Sequence, residues 1–435
     1  MKIVNSKKLS TTAMRIAALQ IAEAGLSAID SRNIIKEVLS YGENLVKVRD
    51  KEFVLKKGSK LLVIGVGKCA IEAAQAAEEI LGDSITGGLV LDTRENNICE
   101  FKKIECFKGT HPMPSDKNVA ATKRIMEILK GLSPEDLVIF LISGGGSTLL
   151  CLPEEGGQCV DEQLILSQLF IAGASIQEIN TVRKHISLAR GGHLAQAAYP
   201  ARIISLIFSD VPSNDMSVIA SGPTVMDKST IADAEVVLKK YDVLTKCGLE
   251  HCGLIETPKE AKYFKDAYNT VVISNDRALA VMSEEAEKLG YHPEIKESSM
   301  TGEARNVGQH IAEKLRETPP GSALLYGGET TVVITNTDGK GGRNQELCLS
   351  ALLFLPHKDS LIMALASDGR DNGPYAGAIA DGETLMKAES EGLKPEEFLD
   401  SNNSSVFFEK TEDYLIMDST GSNVSDLVVA LSKPK

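Results

Sequence analysis

Short apolar runs recur along the first half of the chain. "KLLVIGV" (60–66), "GGLVLD" (87–92), "KIECF" (103–107), "LVIFLI" (137–142) and "RIISLIF" (202–208) are each brief, mostly apolar and rich in β-formers. Runs of that length predict strands buried on both faces of a parallel sheet. The intervening segments carry helical spacing. Ile16, Leu19, Ile21 and Leu26 predict one long helix over 11–41, Ser115 or Asp116 can cap a helix over 116–131, and 161–199 reads as a helical stretch broken once or twice. Alternation of this kind is the pattern of a doubly wound, Rossmann-like α/β domain covering about the first 250 residues.

The pattern restarts near residue 256 with the strand "NTVVISN" (269–275), the helix "RALAVMSEEAEKLG" (277–290) and a further helix around 303–316. "ALLYGGETTVVIT" (323–335) suggests a hairpin, followed by the helix "GGRNQELCLSALLFL" (341–355) and the strand "SLIMALASDG" (360–369). The expected organisation is therefore two α/β domains, 1–255 and 256–435, with the active site in the cleft between them. A length of 435 residues agrees, because one hydrophobic core stops growing well before that size.

Composition narrows the function classes. The chain is 43% apolar and 25% charged, with no Trp, and its net charge is −13. No block of Lys or Arg could track a nucleic-acid backbone or an anionic membrane, so neither is an expected partner. Gln20 and Glu23 interrupt the apolar N-terminal stretch before a signal core could form, and no stretch approaches a membrane span. A cytoplasmic protein with small-molecule substrates is expected. The eight cysteines include no Cys-x-x-Cys, and Cys247, His251 and Cys252 fit no common zinc spacing, so reduced structural thiols are expected. The sequence is compatible with a homodimer.

In open α/β sheets ligands lie beyond the carboxyl ends of strands. Five such ends carry unusual sequence here: "GVGK", "SGGGST", "SDVPSND", "GGET" with "GKGGRNQE", and "ASDGRDNG". Gly65-x-Gly67-Lys68-x-Ala70 opens a strand-to-helix turn that suits a pyrophosphate and a nucleotide phosphate equally well. Asp92, at the end of the next strand, stands where a ribose-binding acid would fall in a dinucleotide site. Ser143-Gly144-Gly145-Gly146-Ser147-Thr148 can present successive N–H donors to an anion. Gly341-Gly342-Arg343-Asn344 opens a helix with a forked guanidinium in it. "NTVRKHISLARGGHLA" holds Arg183, Lys184, His185 and Arg190, the densest positive stretch, and can line an anion site or form a solvated helix face. Asp210, Glu329 and Asp368 follow apolar strands closely, where a magnesium ligand or a base would stand, although carboxylates there also cap turns. Cations and carboxylates around glycine-rich turns fit magnesium-assisted phosphoryl transfer better than hydride transfer. The P-loop and protein-kinase signatures are missing.

Taken in order, "GVGKCA", "GTHPMPSD", "LISGGGSTLL", "INTVRKHISLARGGHLA", "FSDVPSNDMSVIASGPTV", "GGETTVVI", "GGRNQELCLSALL", "SDGRDNGPYAGAIADG" and "TGSNVSDL" resemble the glycerate 2-kinase family whose second half carries a MOFRL domain. The resemblance spans nearly the whole chain and would put the MOFRL region at about 322–430. It implies transfer of the ATP γ-phosphoryl group to the 2-hydroxyl of D-glycerate, with Mg²⁺. It also implies catalytic roles for Lys68 and Arg343, one per domain, so that domain closure would assemble the site. Gly65, Gly67, Ser143 to Ser147, Lys184, Arg190, Gly342 and Asn344 would bind substrate or phosphate, and Asp210, Glu329 and Asp368 would hold the metal. Asn214 and Met216 stand where the family more often shows an acidic or glycine residue and a proline, and the usual Thr-Asp-Gly run is absent near 368–374. These departures bear on the ligand roles of Asp210 and Asp368. The competing expectations are an NAD(P)H-dependent hydroxypyruvate reductase, with His185 or His193 as proton donor, and a non-catalytic metabolite sensor.

Overall fold

The computed structural model describes residues 1–94, 100–154, 159–211, 214–249, 253–356, 359–418 and 420–435. The chain divides into two compact units, one formed by Ser31–Asp210 and Asn214–Ile273, the other by Met1–Asp30 and Ser274–Lys435.

The first unit begins with an antiparallel meander of β1 (Leu39–Gly42), β2 (Leu45–Val48) and β3 (Lys51–Val54). Its main sheet contains β4 (Leu61–Val66), β5 (Gly87–Asp92), β6 (Glu105–Lys108), β7 (Leu137–Ile142), β8 (Arg202–Phe208) and β9 (Ala267–Ile273) in the order β6-β5-β4-β7-β8-β9. Every pairing in it is parallel. Every residue of β4 and β7 is buried, which is why their sequences are continuously apolar rather than alternating. The chain winds outward in both directions from the β4/β7 pair, so the strand order reverses there, and crevices for ligands form at such a point.

The second unit carries a mixed sheet of β10 (His292–Met300), β11 (Ser322–Gly328), β12 (Ser360–Ala366), β13 (Gly377–Asp381), β14 (Tyr414–Leu415) and β15 (Asp426–Ser432), ordered β10-β11-β15-β12-β13-β14. Only β10 and β11 run parallel; β15 lies antiparallel between β11 and β12. That arrangement matters for the site. The start of β15 meets the ends of both neighbours, with Asp426 opposite Gly328 and Ala366.

Both units are α/β, as the sequence predicts, with several local differences. The helix expected over 11–41 is two helices, Ala13–Ala28 and Ser31–Val38, and its last residues enter the meander. "NTVVISN" pairs with β8 and closes the first sheet rather than opening the second unit. No hairpin forms over 323–335. The chain leaves β11 at Gly328, and beyond it only an isolated bridge joins Thr331 to Glu303.

The expected boundary at 255/256 also differs from the division drawn by packing. The N-terminal helix belongs to the second unit because Arg15, fully buried in it, donates to both Asp381 oxygens at 2.7 Å, to Asp413 at 2.7 Å and to Thr384 at 3.1 Å. Met282 packs against Gly25 so closely that a Cβ there would lie 2.6 Å from its Cγ. Cys69, Cys151, Cys247 and Cys348 are free thiols, as expected, whereas Cys106 is disulfide-bonded. His251 and Cys252 lie outside the described residues. Among the described residues no helix is long and apolar enough to cross a membrane.

Candidate active site

In the first unit the turns after β4 and β7 are built against each other. Gly67 has φ +124°, and a Cβ there would lie 2.1 Å from Ser143 Oγ, so only glycine allows the two turns to touch. The Lys68 N–H donates to the Gly144 carbonyl at 3.0 Å, and the Cys69 N–H to Ser143 Oγ at 3.1 Å. The Ile71 N–H is taken by Asp92 at 3.2 Å, and the Gly67 and Ala70 N–H groups go to Leu91 and Gly67 carbonyls. Hydrogen bonds within the protein therefore consume the donors of the first glycine turn. Asp92 itself is fully buried and paired with Arg94 at 2.8 Å, which removes it as an open ribose acceptor.

The loop after β7 is different. Ser143 N–H bonds Val66, Gly146 N–H bonds Ser143, and Thr148 N–H bonds Gly145. The N–H groups of Gly144, Gly145 and Ser147 have no acceptor among the described residues. Gly145, at φ +82°, supplies the left-handed residue such a loop needs, and its Cα faces Lys68 Cγ and the His111 ring, each within 3.4 Å of where a Cβ would stand. Successive unpaired N–H groups of this kind form an anion-binding concavity. Ser147 Oγ accepts from Ser221 Oγ at 2.9 Å, which ties the loop to the segment after β8. Gly65 lies against Val90 and Ala70, and Ser143 is buried as the acceptor for Cys69. Those two shape the nest rather than face a ligand.

Lys184 and Arg190 are corrections to the expected anion ligands. Each is buried and already neutralised, Lys184 by Asp227 at 3.1 Å and Arg190 by Glu162 at 2.6 Å. Although burial opposes ionisation of Asp227, hydrogen bonds from Ser229 and the Lys184 charge hold its carboxyl below the usual range. Lys184 and Arg190 are thus neither open anion ligands nor part of a solvated face, but members of buried ion pairs. His193 is buried with its Nε2 unpartnered, and burial pushes its imidazole down to about 4.

In the second unit Arg343 opens the helix Arg343–Leu352 and forks onto Asp426, Nε to Oδ2 at 2.6 Å and Nη2 to Oδ1 at 2.9 Å, while Nη1 lies 3.0 Å from Glu329 Oε1. Antiparallel β15 brings Asp426 to the ends of β11 and β12, beside the positions from which Glu329 and Asp368 emerge. Asp371, also buried, accepts from the Asn344 and Gln345 N–H groups at 3.1 and 2.9 Å and from the Asn344 amide at 3.2 Å. Asn344 is thus occupied in capping Asp371. Gly342 is required because any Cβ would lie 2.0 Å from the Asp371 carbonyl oxygen. The Asn344 amide is therefore not an open ligand.

Burial raises the Asp371 carboxyl and pushes Asp426 up to about 7 against the pull of Arg343. Burial works against the charge of Arg343 too, but Asp426 and Glu329 raise its pKa overall. A bound cation would favour the ionised forms of both raised carboxyls. Among the described residues no group of three or more His, Cys, Asp or Glu is arranged to hold a metal ion. Asp368 Oδ1 accepts the Arg370 N–H at 3.1 Å, and Glu329 is committed to Arg343. Hard oxygen donors in ones and twos fit Mg²⁺ held mainly by substrate phosphates, not by a protein cage.

Sequence reasoning missed Asp371 and Asp426. Asp371 lies three residues after Asp368 within "SDGRDNG", and Asp426 directly precedes the apolar run "LVVAL", whereas the strand-end rule marked Asp210 and Asp368 because they follow theirs. Asp426 escapes that rule because it begins its strand rather than ending it.

A reversing parallel sheet, with three N–H groups lacking acceptors among the described residues in the loop after β7, defines the class as an open α/β protein with a candidate anion site at the reversal. The first half of the chain, residues 17–250, matches the family described as domain of unknown function DUF4147, and residues 322–426 match the MOFRL family. A glycerate 2-kinase of Pyrococcus horikoshii is 36% identical over 97% of this chain and 98% of its own length. A D-glycerate 2-kinase of Thermotoga maritima is 37% identical over 86% and 90%. A relative in Agrobacterium vitis, 35% identical over 85% and 86%, carries hydroxypyruvate reductase as a provisional name. The crystal structure of a Thermotoga maritima glycerate kinase superimposes with a TM-score of 0.83 at 32% identity, covering 97% of this chain and 99% of that one. The chain belongs to the glycerate kinase family, with its DUF4147 and MOFRL halves.

Proposed function

We propose that this protein transfers the γ-phosphoryl group of ATP to the 2-hydroxyl of D-glycerate, giving 2-phospho-D-glycerate and ADP. The observation that carries the reading is the nest after β7: three N–H groups without acceptors, at the point where the strand order reverses, with the Lys68 side chain packed on the same glycine. Such a loop binds phosphate oxygens with preorganised dipoles, at no reorganisation cost during the reaction. The consumed donors of the Gly65–Ala70 turn and the buried Arg94–Asp92 pair speak against a dinucleotide there, and so against the reductase alternative.

In the transfer, the 2-hydroxyl oxygen bonds to the γ-phosphorus as the bond to the β–γ bridging oxygen breaks. The hydroxyl proton passes to a carboxylate. Lys68 and Arg343 neutralise charge on the phosphoryl group, and Asp426 fixes the guanidinium plane that Arg343 presents. Asp210, Glu329 and Asp368 are the proposed carboxylates for Mg²⁺, which would neutralise charge between the phosphates when bound. For Glu329 this requires exchange from its ion pair with Arg343.

A single assay tests the reading. The protein is supplied with D-glycerate, ATP and Mg²⁺, and the product is coupled to enolase without a phosphoglycerate mutase. Signal is expected, since 2-phosphoglycerate feeds enolase directly. Signal only after mutase is added would place the phosphate on the other hydroxyl. ATP-independent oxidation of NADH by hydroxypyruvate would favour the reductase, and no turnover with either pair would favour the sensor.

A further inference from the structure

Arg183 lies in the last turn of the helix Ile176–Lys184, and its surroundings differ from those of Lys184 and Arg190. Its guanidinium makes no hydrogen bond or ion pair with any described residue, and its Nε is buried without a partner. Burial, and then the like charge of Arg190, pushes that guanidinium down to about 10. The nearby carboxylate cannot compensate. Glu162 gives Oε1 to Arg190 and Oε2 to the Cys151 thiol. A protein that leaves a guanidinium desolvated beside a second cation holds it in readiness for an anion from outside.

The helix that carries Arg183 also contacts the segment next to the nest. Asn180 precedes Arg183 by three residues on the same helix face, and its amide donates to the Ser217 carbonyl at 3.4 Å. Ser217 lies in the segment after β8 that continues through Ile219–Ser221, and Ser221 bonds Ser147 of the nest. The helix face carrying Arg183 therefore packs on the segment that supports the phosphate loop.

We propose that Arg183 binds the carboxylate of the acceptor acid. The inference rests on the D-glycerate reading above. A planar guanidinium matches a carboxylate through two parallel N–H bonds, and one buried cation matches one carboxylate charge. The phosphate oxygens have their own donors in the nest and Lys68. An unpaired buried cation would also reject neutral polyols, which leave it uncompensated.

The test uses full-length protein and the variants Arg183→Met and Arg183→Lys. Binding of D-glycerate, with and without saturating ADP, and binding of ADP alone are measured by calorimetry, alongside KM, kcat and the unfolding temperature. Loss of a charge-assisted bidentate contact should weaken D-glycerate about 30- to 100-fold in Arg183→Met and less in Arg183→Lys, leaving ADP within about twofold. Arg183→Met should unfold at the same or a higher temperature, because an uncompensated charge has been removed. Unchanged D-glycerate binding in Arg183→Met, with the wild type binding normally, overturns the inference alone. An equal loss for ADP overturns it in favour of a phosphate contact. A lower unfolding temperature with unchanged affinity assigns Arg183 to structure. A wild type that binds ADP but no D-glycerate overturns the substrate reading and this inference with it.

Discussion

Arg343 and Asp426 are joined by two parallel hydrogen bonds, 2.6 and 2.9 Å, from a half-buried guanidinium to a fully buried carboxylate. The pair fixes the plane of the guanidinium at the ends of β11 and β12, so its geometry matters as well as its charge. Arg343→Lys keeps the cation and loses the fork. We expect kcat to fall by roughly 10²-fold or more in that variant, close to the loss in Arg343→Ala. Activity of Arg343→Lys near the wild-type value, in the enolase-coupled assay, would mean that only the charge is used.

The stem of Lys68 lies against Gly145 of the nest, and the proposed transfer puts its charge to work on the phosphoryl group. Lys68→Ala should reduce kcat by roughly 10² to 10⁵ with the circular dichroism spectrum unchanged. If Lys68 and Arg343 serve one transfer, the double variant loses far less than the product of the single losses. Strictly multiplicative losses would separate their roles.

Gly145 combines a left-handed backbone with a Cβ position 3.3 Å from Lys68 Cγ. Gly145→Ala strains the loop and displaces the lysine stem. About 1 kcal/mol of stability should be lost, with ATP affinity reduced at least about tenfold. Isothermal titration with ADP checks the affinity; unaltered binding would remove the nest from the nucleotide site.

Arg15 joins the N-terminal helix to β13 and to Asp413 through charges that are all buried. Removing it leaves Asp381 and Asp413 uncompensated except for the Lys387 contact to Asp413 at 2.7 Å. Arg15→Ala should cost about 3 to 5 kcal/mol in urea unfolding of the second unit's signal. A loss below about 1 kcal/mol would show that the N-terminal helix contributes little to that unit.

The His193 imidazole, held near 4 by burial, titrates below its ordinary value of 6.5. The unfolded chain then binds the proton first as pH falls. Its contribution to stability is complete above pH 6.5 and disappears progressively between 6.5 and 4, by about 3 kcal/mol in all. Asp426, raised to about 7 by burial, changes stability in the opposite sense over the same range. The comparison must therefore be with His193→Gln. The difference in denaturation midpoint between wild type and variant should shift against the wild type as pH falls, and a constant difference would contradict a buried neutral imidazole.

Several of these residues were legible in the sequence as chemistry but not as geometry. Lys68, Arg343 and the Ser143–Thr148 loop stand out because glycines and charges directly follow apolar strands. Which glycine turn keeps its donors open could not be read there, since Asp92, Ser143 and Gly144 take the donors of the first turn across strands. Lys184 and Arg190 look like open cations in one dimension, yet Asp227 and Glu162 neutralise them from 43 and 28 residues away.

Strand periodicity and strand-end glycines are local properties, so the amino-acid order alone determined the two α/β halves, the buried parallel strands and the phosphate-loop candidate. Charge pairing is set by contacts between residues far apart in the chain. Only the folded packing could decide that Arg15 binds the helix Ala13–Ala28 to β13, that Asp426 orients Arg343, and that Arg183 has no charge partner among the described residues.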